Sequence, residues 1–200
     1  MDATVENEPV EMFKPGDRFR GYIVERLLGK GGLGSVYLVR HEMLDTLYAL
    51  KVLDPAMVAA NPEHVRRFLC EARIATRIRH PNLVAVHDCG LDEARNAYYL
   101  VMDYVTGGDL RQALAFSGRL DFEQAIGIVA QVARALEAAQ KYQVVHRDIK
   151  PENIMIQPDG VVKLVDLGIA KATDLGESLH TTTGQGEQHA LVRDRRRRDS

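Results

Sequence analysis

The sequence predicts an α+β protein in which a β-rich part comes first and helices follow. Residues 22–53 contain three successive runs rich in β-branched and aromatic residues, which predict neighbouring strands. Residues 121–142 form the clearest amphipathic pattern, with apolar residues at helical spacing. An Asp-Gly pair at 159–160 lies between two apolar runs and predicts a late β-hairpin. The chain has 200 residues, enough for one sizeable core or for two small lobes that share a cleft.

Composition excludes several function classes. The chain is 46% apolar and 27% charged, as in ordinary globular proteins, and its net charge of −2 gives no reason to expect nucleic acid or an anionic membrane as a partner. No apolar run approaches the ~20 residues that span a bilayer, and the acidic start is unlike a signal peptide. Cys70 and Cys89 are expected to be small buried side chains in a reducing compartment, so we expect a cytoplasmic protein.

The β-rich part should begin after a disordered lead-in. Residues 1–17 are polar and acidic and end in a Lys-Pro-Gly-Asp turn, so we expect no packed structure there. The three expected strands are Tyr22–Leu28, Ser35–Arg40 and Thr46–Leu53, the last two close enough to form a hairpin.

A glycine-rich loop joins the first two of these strands. Residues 29–34 read Gly-Lys-Gly-Gly-Leu-Gly, and Val36 completes the pattern G-x-G-x-x-G-x-V. Glycines allow backbone N–H groups to approach phosphate oxygens, because no Cβ intervenes. A dinucleotide-binding turn would open a helix, whereas Ser35 begins a strand-like run, so that class is disfavoured. Taken alone, the loop also fits a glycine-rich hairpin without a ligand.

A helix is predicted over residues 61–79, beginning at an Asn-Pro pair and ending before His80-Pro81-Asn82. Glu71 lies on the same stripe as Phe68, Ala75 and Ile78. Because burial of an unpaired carboxylate is costly, Glu71 is expected to meet a cation; an exposed surface glutamate is the ordinary alternative.

The segment His146–Asn153 combines the groups that phosphoryl transfer requires. It supplies a carboxylate as proton acceptor, a cation for phosphate oxygens and an amide oxygen for a metal ion. If Asp159 and Gly160 are the two loop residues of the following hairpin, counting outward pairs Asn153 with Asp166. An amide oxygen and a carboxylate would then lie side by side, and such hard oxygen ligands suit Mg²⁺.

With these motifs in this order, the sequence resembles the eukaryotic-like Ser/Thr protein kinases, including their bacterial members. Residues 146–153 match H-R-D-x-K-x-x-N, and Tyr48-Ala49-Leu50-Lys51 is similar to V-A-I-K. Asp166-Leu167-Gly168 differs from D-F-G by leucine for phenylalanine, a tolerable apolar exchange. The resemblance implies a protein-kinase-like bilobal fold, with a complete N-lobe (antiparallel sheet plus helix C) in residues 18–104 and a hinge with a partial helical C-lobe in residues 105–183.

The resemblance implies ATP and Mg²⁺ as cofactors and serine or threonine side chains of proteins as substrates. In the family pattern, Asp148 would accept or orient the hydroxyl proton, and Lys150 would offset charge on the transferred phosphoryl group. Asn153 and Asp166 would bind Mg²⁺. The catalytic set also includes the strand lysine and the helix-C glutamate that it pairs with, Lys51 and Glu71.

The resemblance also implies a nucleotide-binding set. In sequence order it is Leu28, Gly29, Lys30, Gly31, Gly32, Gly34, Val36, Ala49, Lys51, Met102, Asp103, Val105 and Met155. Met102 takes the gatekeeper place, and backbone groups of Asp103 and Val105 would bond the adenine edge. Met155 would form the floor of the adenine pocket. Arg147 resembles the family class whose activation segment is ordered by a phosphate; three threonines at 181–183 are either its phosphate acceptors or plain exposed residues.

The sequence departs from the family after residue 171. It contains no A-P-E motif and ends in a basic stretch with four arginines at 195–198, typical of a solvated tail, so residues 184–200 are expected to be disordered. We therefore expect a resemblance over Arg18–Thr183 that truncation or a shifted reading frame interrupts. Helix 121–142 would then expose part of its apolar face and favour aggregation or a partner. This leaves a second function open: a pseudokinase-like nucleotide-binding or interaction module without transferase activity.

Overall fold

The structure is a computed structural model that describes residues 12–31, 34–60 and 62–167, apart from the side chains at 57, 60, 62–64, 67 and 71. The strands are β1 (Arg18–Phe19), β2 (Tyr22–Gly31), β3 (Gly34–His41), β4 (Leu47–Leu53), β5 (Val86–Asp92), β6 (Ala97–Asp103), β7 (Gly108–Asp109), β8 (Ile154–Ile156) and β9 (Val162–Leu164). The helices are α1 (Pro55–Ala60), α2 (Pro62–Ala75), α3 (Leu110–Ser117) and α4 (Phe122–Gln140), and a 3₁₀ turn covers Pro151–Asn153.

Six of the strands form one antiparallel sheet in the order β1-β2-β3-β4-β6-β5, and β7-β8-β9 form a second, small sheet. The three predicted strands are confirmed as β2, β3 and β4. Alternation along β4 turns Leu50 and Val52 to one face of the sheet and Ala49 and Leu53 to the other. The α+β class is therefore confirmed.

The face of the large sheet that carries Ala49 and Leu53 is part of the main core. Its residues Ala49, Leu100 and Met102 share one buried cluster with α2, α4 and the β8–β9 hairpin. Helix α2 contributes Phe68 and Ala75, whose burial confirms the apolar stripe predicted for this helix. The sheet is thereby packed over the helical part of the chain, and the edge between them forms a cleft.

The opposite face carries a second core that includes Phe13. Phe13 is 1% exposed and packs edge-on against Phe19 and Tyr37, with ring centroids 5.3 and 5.4 Å apart. The Arg95 guanidinium lies 5.5 Å from the centre of the Phe13 ring. The expectation of a disordered lead-in is therefore wrong from Met12 onward. Burial of this one aromatic side chain against the sheet stabilises the segment, although most of the residues around it are polar.

The boundaries of the first helical region also differ from the expectation. Helix α2 ends at Ala75 rather than near Arg79, because the next turn tightens: Ile78 N–H donates to the Ala75 carbonyl at 3.1 Å. The Thr76 hydroxyl donates a hydrogen bond from Oγ1 to the Arg73 carbonyl at 2.7 Å. Helix α1 was not predicted; the Asp54 carboxylate caps it by accepting the Ala56 N–H at 2.8 Å. The expected cap at Asn61 lies outside the described residues.

Helix α4 begins as predicted, and each of the two helices α3 and α4 begins at a capping aspartate. Asp109 caps α3 by accepting the Gln112 N–H at 2.8 Å. Asp121 and Gln124 form a reciprocal capping box at the start of α4, which ends at Gln140. Both carboxylates satisfy N–H groups that have no partner within the helix.

The β8–β9 hairpin has a register one residue away from the predicted one. Gln157 N–H donates to the Val161 carbonyl at 2.9 Å, so the loop has three residues, 158–160. A two-residue Asp-Gly turn needs positive φ at both positions, whereas here only Gly160 takes it, at 83°. Pro158 suits the first turn position because its ring fixes φ. Asn153 therefore lies opposite Val165 rather than Asp166, which follows immediately.

Part of the apolar face of α4 lies exposed in the described structure. Val132, Ala135 and Ala139 are buried, but Phe122 is 78% and Val129 66% exposed. This agrees with the expectation that some of this face would lack cover. Of the helices within the described residues, none combines the length and apolar character needed to cross a bilayer.

Candidate active site

A cavity of about 380 Å³ opens between the two sheets, beside the crossing from β6 to α3. The predicted nucleotide residues that line it are Leu28, Val36, Ala49, Met102, Asp103, Val105 and Met155, and Asp166 lies at its wall. The cavity has the size of a small-molecule site, and apolar side chains from both sheets form much of its lining.

Lys51 lies on β4 and shares a face with Ala49, because side chains two residues apart on a strand point to the same face. Its side chain is only 11% exposed, and Nζ lies 2.6 Å from Asp166 Oδ1. Asp166 is held at a positive φ of 54°. The sequence identified both residues but did not predict this ion pair. The side chain of the expected partner, Glu71, lies outside the described structure, so that pairing stays a prediction.

His146 anchors the segment that precedes the candidate base. It is 2% exposed, and the Asp148 N–H donates to Nδ1 at 3.4 Å. Since Nδ1 accepts, the proton lies on Nε2, which donates to the Val165 carbonyl at 3.0 Å. Burial lowers the pKa of His146, in agreement with this neutral form. The imidazole therefore ties the segment of the candidate base Asp148 to the residue just before Asp166.

Asn153 joins the candidate base to the hairpin. It is 5% exposed, and its Nδ2 donates to the Asp148 backbone carbonyl at 2.8 Å and to Oδ2 at 3.2 Å. Lys150 Nζ lies 3.1 Å from the same Oδ2. The Asn153 carbonyl accepts the Val165 N–H at 2.9 Å, so Asp166 follows directly. Asp148, Lys150 and Asn153 thus form one bonded group beside the Lys51–Asp166 pair.

The glycine-rich segment lies on the large sheet between the cavity residues Leu28 and Val36, but its described residues do not line the cavity themselves. Gly29, Lys30 and Gly31 end β2, and Gly34 starts β3; Gly32 lies outside the described residues. Gly34 has a φ of 140°, and a Cβ there would overlap the carbonyl oxygen of Val52. A Cβ at Gly29 or Gly31 would meet nothing within 4 Å, so packing does not require glycine at these two positions.

Several cavity residues were missed by the sequence reasoning. They are Arg26, Val84, Tyr104, Gly107, Asp109, Gln112 and Val165. A register shift between Val24 and Arg26 turns Arg26 toward the cavity mouth, and no local sequence signal marks it. Gly107 carries a usable signal, since it lies in a Gly-Gly pair. Its φ is 109°, and a Cβ there would overlap the Ile156 carbonyl.

Comparison with known proteins decides the family. Residues 22–189 match the family model described as protein kinase domain. The chain belongs to the protein kinase family. It is 39% identical over 177 residues to the serine/threonine-protein kinase PrkC of Bacillus subtilis, covering 88% of this chain and 27% of that protein. It is 41% identical over 157 residues to PknA of Mycobacterium tuberculosis, covering 76% of this chain and 36% of that protein.

The kinase fold has a solved counterpart. The crystal structure of the Mycobacterium tuberculosis PknI kinase domain superposes with a TM-score of 0.70 at 40% identity, covering 80% of this chain and 64% of that one. The predicted resemblance to bacterial Ser/Thr kinases and the bilobal fold are confirmed. The chain spans about a quarter to a third of the length of these curated relatives. Thr181, Thr182 and Thr183, which the sequence leaves as either phosphate acceptors or plain exposed residues, lie outside the described residues.

Proposed function

We propose that this kinase-family chain transfers the γ-phosphoryl group of ATP to serine or threonine hydroxyls of protein substrates. The observation that carries the proposal is the 2.6 Å Lys51–Asp166 pair beside the Asp148 network, at the wall of a cavity of about 380 Å³. Phosphoryl transfer depends on positioning and charge stabilisation, which such a cluster supplies. The similarity to proteins named serine/threonine-protein kinases supports the choice of acceptor.

The residues present fit an adenine nucleotide. Val36 and Ala49 on one side and Met155 on the other supply apolar surface for the base. The Asp103 N–H donates to the Ala85 carbonyl at 2.9 Å, so its C=O is the group proposed to accept from the adenine amino group. The phosphates would extend toward the glycine-rich segment and Lys51, whose cation suits their charge.

The same site suits Mg²⁺. Within the described part of the chain, the side chain of Asn153 makes its two hydrogen bonds through Nδ2, so Oδ1 is the atom with which it would bind the ion. The Asp166 carboxylate, now paired with Lys51, would supply the second oxygen. When bound, Mg²⁺ supplies neutralising charge for the phosphate oxygens.

Asp148 and Lys150 would act on the acceptor. The Asp148 side chain is 19% exposed and fixed by Asn153 and Lys150, so it would hold a substrate hydroxyl in one orientation. Lys150, 46% exposed, would move from Asp148 to the incoming phosphoryl group and offset its charge. The hydroxyl proton would pass to the Asp148 carboxylate as the new oxygen–phosphorus bond forms. The bond between the γ-phosphorus and the β–γ bridging oxygen would break in the same step, and ADP would leave.

The experiment is phosphate transfer measured with purified chain, Mg²⁺, γ-labelled ATP and a mixture of proteins rich in serine and threonine. The matched control is Asp148→Asn, which keeps the size of the side chain and removes the base. Label above the level of this control, recovered as phosphoserine or phosphothreonine, supports the proposal. Equal label in both proteins contradicts it.

A second candidate function is nucleotide-dependent binding without transfer. The exposed apolar side chains of α4, including Phe122 and Val129, favour it because they offer surface for a partner. In that case Mg-ATP would raise the melting temperature of the chain, while no label would reach any acceptor.

The proposed compartment is the cytoplasm. ATP is available there, and Cys70 and Cys89 are unbridged thiols, as a reducing environment maintains them.

A further inference from the structure

The carboxylate of Asp103, at the end of β6, joins the two sheets. Its Oδ1 accepts a hydrogen bond from His87 Nε2 of β5 at 2.6 Å. Its Oδ2 accepts the Ala85 N–H at 3.3 Å and lies 3.7 Å from Lys163 Nζ of β9. His87 belongs to the six-stranded sheet and Lys163 to the three-stranded one. One side chain therefore holds both sheets where the chain crosses between them.

Lys163 reaches this carboxylate from the cavity side of the hairpin. It pairs directly with Met155 across β8 and β9, so the two side chains share a face. Met155 lines the cavity, and Lys163 is 20% exposed against 32% for Asp103. Charges this far withdrawn from solvent are screened less than surface charges. The contact therefore joins Asp103, which lines the cavity, to the cross-strand neighbour of Met155, which lines it too.

The backbone of Asp103 faces the cavity at the same point. In an extended strand, the N–H and C=O of one residue point to the same strand edge, and the Asp103 N–H bonds to Ala85 at 2.9 Å. Val84, next to Ala85, lines the cavity, so this edge faces the base. Because His87, Ala85 and Lys163 hold the Asp103 side chain, they limit rotation of the Asp103 backbone and so of its carbonyl.

We propose that Asp103 is a positioning residue that favours adenine nucleotides. Through His87 and Lys163, its carboxylate fixes the direction of its own carbonyl toward the 6-amino group of the base. This inference rests on the proposed function, because it assumes that an adenine nucleotide occupies the cavity. It predicts that loss of the inter-sheet contact weakens recognition of the amino group more than binding in general.

The experiment measures dissociation constants for Mg-ATP and Mg-ITP by calorimetry. ITP carries a carbonyl oxygen in place of the 6-amino group, so it cannot donate to Asp103. The variants are Asp103→Asn, Lys163→Met and the double variant. We expect each single variant to raise the ATP constant about 5-fold and the ITP constant less, as loss of one hydrogen-bond contribution would. The double variant should add little to either single change, since both changes remove the Asp103–Lys163 ion pair.

Two variants far from the cavity serve as matched controls. Asp45→Asn removes a carboxylate at a residue whose φ of 49° asparagine tolerates, and Lys141→Met removes a cation that is 70% exposed. Neither should change the ATP-to-ITP ratio. If Asp103→Asn does not fold, Lys163→Met decides the question, because it leaves the strand pairing and the carboxylate in place.

The outcomes separate the inference from the proposed function. Unchanged constants, or an equal rise for ATP and ITP, would overturn the positioning role while leaving the kinase proposal intact. A chain without substitutions that binds neither nucleotide would overturn the proposed function and this inference together. A fall in the ATP-to-ITP preference confined to the Asp103 and Lys163 variants supports the inference.

Discussion

Replacement of Phe13 by alanine should destabilise the chain strongly, although composition marks this segment as a polar lead-in. Phe13 is 1% exposed, makes two edge-on ring contacts and lies beneath the Arg95 guanidinium. Phenylalanine-to-alanine changes at such sites cost about 3–5 kcal/mol, through lost burial and the cavity left behind. For a chain of this size, that loss lowers the melting temperature by about 6–20 °C.

The assay is thermal unfolding followed by circular dichroism, since the chain has no tryptophan to report by fluorescence. Phe116→Ala is the matched control, because Phe116 is 97% exposed and the chemical change is the same. It should shift the free energy of unfolding by less than about 0.5 kcal/mol. Equal melting temperatures for the two variants would refute the packing of Phe13 onto the sheet.

Three further predictions concern the site and its support. Lys51→Met should weaken ATP binding about 10-fold or more in calorimetry, because a cation beside the phosphates is lost. Burial lowers the pKa of His146 below its ordinary 6.5, so the unfolded chain binds the proton more readily than the folded chain. The contribution of His146 to the free energy of unfolding should therefore fall as the pH drops through 6.5. In the His146→Gln variant, the melting temperature should change less between about pH 7.5 and pH 5.5 than it does in the chain without substitutions. Gly34→Ala should disturb the glycine hairpin and reduce the affinity for ATP, because the added Cβ would overlap the Val52 carbonyl. Gly127→Ala makes the same chemical change at an open site in helix α4 and should instead raise the free energy of unfolding by about 0.5–1 kcal/mol.

Motifs predicted the site better than local patterns predicted element ends. Lys51, Asp148, Asn153 and Asp166 were identified from the sequence. In the fold, Lys51 bonds to Asp166 at the cavity wall, and Asn153, which bonds to Asp148, accepts the N–H of the residue before Asp166. Their identities follow from chemistry that tolerates few residue types. The Lys51–Asp166 bond was not predicted, because it joins residues far apart in sequence.

The hairpin register shows how a small error in turn geometry propagates. Asp-Gly favours a two-residue loop, but the preceding Pro158 fits a three-residue loop with Gly160 at positive φ. The choice between them moves every cross-strand pair by one residue. Asn153 and Asp166 remain close only because they stay near the same open end of the hairpin.

Phe13 and Arg26 illustrate tertiary effects that no local pattern records. Phe13 is one aromatic residue in a polar stretch, and its role depends on a sheet face that needs cover. Arg26 reaches the cavity because β2 shifts register beside it. Both depend on contacts between segments rather than on periodicity.

The central claim is that Asn153 and Asp166 hold a metal ion beneath nucleotide phosphates bound by Lys51. The most direct test is a crystal structure of the chain with a non-hydrolysable ATP analogue and Mn²⁺, located by anomalous scattering. We expect the base between Ala49 and Met155, and an anomalous peak within about 2.5 Å of Asn153 Oδ1 and the Asp166 carboxylate. A nucleotide bound outside this cavity, or a metal ion that contacts neither residue, would contradict the account.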